Sequence, residues 1–241
     1  MKKIITLAAA VASLFAFDKV IPQEKIINVL KLSPVYKQLA GPIKKGEVKL
    51  KGTQKDGFYI IEINTPRGRG LLYITADGKY TVIGRVIDNK TSRPLVPNFP
   101  KNADVVKKGV MFTFGKGNKD IYLITDPECP YCRIMEKEKK DILEKNYRVH
   151  VILYPLSFHK HAKDMSYYIL AGKTDEERAK RLREVLSGAD AWKTFKPTKE
   201  QKEKFDKELA AAKKAVEELG ARGTPTIFDE KFNTIDWSGI K

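Results

Sequence analysis

The chain has 241 residues, 42% of them hydrophobic, enough to bury a real core and too apolar for a disordered protein; the length suits one large domain or two small ones. A formal net charge of +16 would fit nucleic acid or an anionic membrane surface, but the lysines alternate with acids, as in TKEQKEKFDKELAAAKKAVEEL at 198–219, which is the pattern of a solvated helix face. No zinc-finger spacing or aromatic RNA-binding stretch accompanies the charge, so no nucleic-acid partner is expected.

Lys2 and Lys3 precede an apolar run at 4–15 that closes on small residues around Ala12, Ser13 and Ala16. This predicts a signal peptide over 1–16, cleaved near Ala16, in a run too short for a bilayer span. Export implies an oxidising compartment, where disulfides form and persist. Ile21, Ile26, Ile27 and Leu30 then give helical spacing over 23–32, Pro34 ends or restarts the helix, and Gly41-Pro42 breaks the chain. From Glu47 the period changes to two. Strands are expected near 48–50, 58–63, 71–75 and 80–86, with turns at 65–68 and at Ala76-Asp77-Gly78-Lys79. Residues 17–90 thus read as a small α+β domain, marginal alone and helped by self-association over a sheet edge. Pro94, Pro97 and Pro100 mark 91–108 as a linker, with a short helix near its end.

The second domain, 109–241, opens with a strand at 110–114, a turn at 115–118, and a continuously apolar strand at 121–125 of the kind buried on both faces. A helix over 132–145 and a strand over 148–154 complete a βαβ unit, so parallel pairing is expected. Residues 160–220 are mostly helical, with a break near Pro197 and a stop at Gly220. A hairpin across 229–233 joins 226–228 to 234–237.

Two cysteines are too few for a disulfide-stapled scaffold, which leaves the pair free for chemistry. Cys129 and Cys132 form a Cys-x-x-Cys motif. A zinc site needs about four ligands; there is no second cysteine pair, and His150, His159 and His161 are scattered in and beyond one strand, so no metal or other cofactor is expected. The redox reading has positive support. The pair follows a buried strand and opens a helix, where unpaired N–H groups and the helix dipole favour an anion. Cys129, at the N-terminal end, is expected to be the attacking thiolate. Pro130 suits the first helical turn, and Arg133 adds positive charge nearby. Cys132, one turn further in, is expected to be the more buried, resolving thiol. Far along the chain, Gly223-Thr224-Pro225-Thr226 opens a strand, where a proline is allowed.

TDPECPYC at 125–132 together with GTPT at 223–226 resembles the thioredoxin superfamily. GLLYITADGKYTVIGRVID at 70–88, and the order of signal, small α+β domain, linker and thioredoxin domain with a helical insertion, are similar to the DsbC/DsbG family of periplasmic thiol:disulfide interchange proteins. The resemblance implies an α/β thioredoxin fold preceded by a cystatin-like dimerisation domain, periplasmic location, and a homodimer whose two sites face a shared cleft. It implies that Pro225 is cis and lies against the cysteines, and that substrate peptide meets the Thr224 backbone, in the manner of β-strand addition, with Pro225, Pro130 and Tyr131. It also implies unfolded or misoxidised protein substrates and a membrane thiol reductase for recycling. The Thr before the proline matches the isomerase branch; the Pro-Tyr dipeptide is more like the DsbG branch. Many thioredoxins carry a buried acid six residues before the first cysteine, where this chain has Leu123. Proton handling at Cys132 is therefore expected to use water or Asp126. A second, structural disulfide is excluded, and a terminal helix is expected after the last strand, so that either this helix is reduced or the sequence is truncated.

The leading expectation is a disulfide isomerase or reductase for misoxidised exported proteins. The same residues would serve a dithiol oxidase of opposite redox poise. A dimeric chaperone with secondary exchange activity is the reading from another class.

Overall fold

The computed structural model describes residues 17–65, 68–90 and 92–240. The signal peptide and its cleavage near Ala16, the middle of the turn at 65–68 and the last residue lie outside the described residues. The chain divides into two compact units, 1–100 and 101–241.

The first unit begins with α1 (Gln23–Leu30) and α2 (Tyr36–Lys44) and continues as a meander of β1 (Lys49–Lys55), β2 (Phe58–Thr65), β3 (Gly68–Thr75) and β4 (Thr81–Ile83). Each strand pairs antiparallel with the next. One sheet face carries Leu50, Ile61, Leu72 and Ile74, all buried against Ile26, Val29 and Leu30 of α1. The break expected at Gly41-Pro42 does not occur. Pro42 sits inside α2, where the lost N–H removes one bond while Lys45 N–H still reaches the Gly41 carbonyl and Glu47 N–H the Pro42 carbonyl. The fourth strand is shorter than expected, because Gly84 adopts φ +146° and ends it.

The two remaining strands of this unit, β5 (Ile87–Asp88) and β6 (Arg93–Pro94), pair as a short ribbon. The stretch expected as a linker over 91–108 is divided between the units instead. Asp18 exchanges backbone and side-chain hydrogen bonds with Asn98, Tyr73 Oη donates to the Leu95 carbonyl at 2.8 Å, and Phe99 is buried. Tyr73 lies opposite Ile60 on the sheet face away from α1, so this proline-containing segment is held over that face. The short helix near its end is α3 (Ala103–Lys108), capped by the Asn102 side chain.

In the second unit α3 is followed by β7 (Phe112–Phe114), β8 (Lys119–Thr125), α4 (Pro130–Asn146), β9 (Tyr147–Leu153), α5 (Ala162–Leu170), α6 (Asp175–Leu186), α7 (Lys199–Leu219), β10 (Thr226–Asp229) and β11 (Thr234–Ile235). The sheet order is β11-β10-β8-β9-β7, with β8 and β9 parallel and every other pairing antiparallel. β8 is central, and 121–125 are all buried, which is why that strand reads as one apolar run rather than an alternation. α7 starts at a capping box between Thr198 and Gln201 and stops at Gly220, φ +73°. Its apolar stripe of Phe205, Ala212, Val216 and Leu219 is buried in the core. After β11 the chain closes in a short 3₁₀ turn (Trp237–Gly239), and Lys139 Nζ donates to the Ser238 and Ile240 carbonyls. Among the described residues no helix is long and apolar enough to cross a membrane.

Phe205 stacks at a tilt on Tyr167 of α5, ring centroids 5.7 Å apart, and is 2% exposed. Phe205→Ala should cost about 3–5 kcal/mol. An unchanged urea midpoint would show that α7 is not packed through this ring.

Candidate active site

The register of the second sheet brings three loops to one end of it. β8 ends at Thr125, opposite Leu153 at the end of the parallel β9. β10 runs antiparallel to β8 and begins at Thr226, opposite Ile124. The loop leading to the cysteines, the loop after β9, and the Gly223-Thr224-Pro225 turn therefore emerge together, although they are far apart in sequence.

Cys129 is the N-cap of α4 and Pro130 its first residue; the Cys129 side chain makes no capping bond. By position, the first-turn amides of this helix lack intrahelical acceptors. The Cys129 thiol donates instead to the Thr224 carbonyl, Sγ to O 3.3 Å. The Thr224–Pro225 bond is cis, so the turn that the resemblance singles out does lie against the first cysteine. Cys129 is 4% exposed and Cys132 fully buried, and both are free thiols. Tyr131, between them, is exposed at 64%, and Pro130 is exposed as well.

Burial pushes the Cys132 thiol up to about 12. The Asp126 N–H, which donates to Sγ at 3.5 Å, works against that, and the nearby hydroxyls of Thr125 and Thr224 lower it as well. The charge that Cys129 would carry raises it further. Both hydroxyl oxygens are buried and form no hydrogen bond. Thr224 thus lies near both sulfurs, its carbonyl bonded to Cys129 and its hydroxyl close enough to Cys132 to act on its charge, whereas sequence reasoning assigned only its backbone a task.

Asp126 is completely buried. Its carboxylate accepts from Glu128 N–H at 2.8 Å, Leu156 N–H at 2.7 Å and His159 Nδ1 at 2.8 Å. A second tie joins the same two loops, from His161 N–H to the Glu128 carboxylate at 2.6 Å. Sequence reasoning met His159 only as a nitrogen that zinc could use. The signal that could have found it is an isolated histidine just beyond the strand paired with the one that carries the cysteines. His150 lies elsewhere, between Asp120 and Thr113. Among the described residues no group of three or more His, Cys, Asp and Glu is placed to hold a metal ion.

Arg133, expected near the thiols, lines a groove of about 990 Å³ between α4 and α6, with Glu136, Lys137, Lys140 and Arg183; neither cysteine lines it. Its charge is therefore shared with this groove rather than dedicated to the cysteine pair.

The family described as a thioredoxin-like domain matches residues 113–231, which take in both cysteines and the Thr224–Pro225 turn. The second unit is accordingly a thioredoxin-like domain. Among curated proteins the chain is similar to the thiol:disulfide interchange protein DsbG of Pseudomonas aeruginosa, 26% identical over 170 residues, a match covering 65% of this chain and 64% of that relative's length. Solved structures similar to it include Helicobacter pylori DsbG (14% identity, TM-score 0.40, 79% of this chain and 98% of that one) and Pseudomonas aeruginosa DsbA2 (14%, TM-score 0.41, 52% and 84%). The thioredoxin-like match and the similarity to a DsbG protein thus fall on the same cysteine-bearing domain type.

The two thiols should differ sharply in reactivity. In the reduced protein at pH 8, iodoacetamide should modify Cys129 and spare Cys132, which is fully buried and titrates far above that pH. Equal labelling of both by mass spectrometry would contradict this placement.

Proposed function

We propose that this protein is a thiol–disulfide exchange enzyme that isomerises or reduces disulfides in misoxidised exported proteins. One observation carries the reading: Cys129 caps a helix N-terminus with its sulfur 3.3 Å from the carbonyl before a cis proline, while Cys132 waits one turn behind it, buried. A thiolate at Cys129 attacks a substrate disulfide, and one substrate sulfur leaves as a thiolate. The resulting mixed disulfide is cleared either by a substrate thiol, which is isomerisation, or by Cys132, which closes the Cys129–Cys132 disulfide and leaves the substrate reduced. Substrate chain lies along Thr224 and Pro225 and over the exposed Pro130 and Tyr131, its backbone pairing with the turn as an added strand. Phe158, next to the His159 that is bonded to Asp126, is exposed at 76%.

The difficulty of ionising Cys132 favours isomerisation over net reduction of substrate, since it prolongs the mixed disulfide. The N-terminal basic-apolar pattern supports export to the periplasm. A membrane thiol reductase would return the pair to the dithiol after each reductive turnover. The discriminating measurement is the Cys129–Cys132 reduction potential. A value near that of protein disulfide isomerase, about −180 mV, or below it is expected; one near −120 mV would assign the oxidase role instead. Cys129→Ser should abolish refolding of a scrambled disulfide substrate, and retained activity would refute the mechanism.

The first unit serves in this reading as a homodimerisation domain. Val20 bridges to Thr53 on the outer side of β1, whereas among the described residues no strand pairs with the outer edge of β4, which presents Ile83 at 76% exposure beside Tyr80 at 67%. Sedimentation at micromolar concentration should show a dimer, converted to monomer by Ile83→Lys; a monomeric parent protein would sink this part alone.

A further inference from the structure

The mechanism leaves one buried arrangement unused. Asp126 has no exposure to solvent, and its carboxylate receives three donors, two of them from the loop after β9. A carboxylate oxygen accepts, so His159 Nδ1 is assigned as the donor of this bond, at 2.8 Å. The same Asp126 presents its backbone N–H to the Cys132 sulfur at 3.5 Å and its carbonyl to Cys129 N–H at 3.1 Å. One residue therefore touches the environment of both cysteines through its backbone, while its side chain is held from outside the motif. The backbone around it is pinned by a further bond, Tyr154 N–H to the Thr125 carbonyl at 2.8 Å. A general tether of loop to loop would be met by that bond and by the Glu128–His161 tie. The His159 bond adds something they do not: it fixes the side chain, and so the peptide plane, of the residue whose N–H faces the resolving sulfur.

We propose that His159 is a positioning residue for Cys132: by donating from Nδ1 to Asp126 it holds the Asp126 N–H on the Cys132 sulfur, and so governs how fast Cys132 resolves a mixed disulfide. The inference rests on the exchange mechanism proposed above. In the resolving step Cys132 gives its proton to water and attacks Cys129 Sγ. The Cys129–substrate S–S bond breaks, the Cys129–Cys132 bond forms, and the substrate sulfur leaves with the electron pair as a thiolate. Overall the substrate disulfide is reduced by two electrons and the enzyme dithiol oxidised by two. The negative charge that develops on Cys132 meets the Asp126 N–H, with the Thr125 and Thr224 hydroxyls beside it. Attack by Cys129 takes place at the helix N-cap, against the Thr224 carbonyl, and makes no use of the His159 bond.

That asymmetry supplies the test. The full-length reduced protein is mixed with a disulfide joining two different labelled peptides. Release of the first peptide thiol reports attack by Cys129 and release of the second reports resolution by Cys132; a Cys132→Ser form confirms which is which by stopping after the first. Asparagine places its amide nitrogen where His159 Nδ1 lies, whereas glutamine places it near Nε2. His159→Ala and His159→Gln should slow the second release about tenfold, the scale of one hydrogen bond lost around a charged group, with the first release unchanged. His159→Asn should restore the parent rate. If the alanine form fails to fold, the contrast between asparagine and glutamine decides alone. Equal slowing of both releases, no slowing of either, or asparagine and glutamine behaving alike would overturn the positioning role. Should the parent protein release no thiol at all, the exchange reading itself falls, and this inference with it; normal release in the parent and in every His159 variant removes only the inference.

Discussion

The pairing of β8 is the constraint on which the site depends. Its parallel register with β9 and antiparallel register with β10 force the end of β8, the end of β9 and the start of β10 to the same rim of the sheet. Everything chemically notable then follows from what each loop must do on leaving that rim. The chain leaving β8 turns directly into α4, which puts Cys129 at an N-cap. The chain entering β10 passes through a cis proline, which presents the preceding carbonyl to that cysteine. The chain leaving β9 delivers Leu156 and His159 to Asp126. Because β8 is buried on both faces, none of the three can shift without disturbing close-packed residues such as Leu123 and Ile124.

Within this frame the two thiols are set apart by one helical turn. Cys129 stands at the mouth of the helix, its thiol donating to the Thr224 carbonyl. Cys132 is inside, and moving it from the ordinary thiol value of 9.0 to about 12 corresponds to roughly 4 kcal/mol against ionisation. The donors around its sulfur recover part of that cost, so the rate of resolution is set by a balance of desolvation against hydrogen bonds. A site that resolved instantly could only reduce its substrate; one whose resolving thiol ionises reluctantly leaves time for a substrate thiol to act first.

The cysteine motif, its flanking strand and helix and the turn at 223–226 were legible from sequence because each has a local signature: an apolar run, a proline in the first helical turn, a proline at a strand start. The element boundaries shifted by only a few residues, as with the helix that begins at Pro130 and not at Cys132. What escaped has no local signature. Asp126 and His159 are 33 residues apart and meet only because β8 and β9 are parallel neighbours. The inward hydroxyl of Thr224 is equally a product of tertiary packing. α2 was missed for a different reason: it is short, contains no fully buried residue and carries Pro42, so its periodicity is weak where its breaker signal is strong.

The proline-containing stretch at 95–100 shows how composition can mislead about organisation. Read alone, spaced prolines and sparse apolar residues describe a tether. In the first unit, however, the sheet is buried on both faces: Ile61, Leu72 and Ile74 face α1, while Ile60 and Tyr73, at 0% and 1% exposure, face the other way. A four-stranded sheet whose two short helices, α1 and α2, pack on one face needs something over the other, and a segment bonded through Leu95 and Asn98 supplies it without forming regular structure. Proline suits this position because a covering segment owes no ladder hydrogen bonds to the sheet beneath it. Among the described residues the most exposed large apolar side chains of this unit are Ile83 and Tyr80, beside β4. That strand is only three residues long, which limits how much backbone ladder a neighbour could add. Self-association at this edge, as proposed above, would therefore draw on side-chain burial at Ile83 and Tyr80 more than on strand pairing.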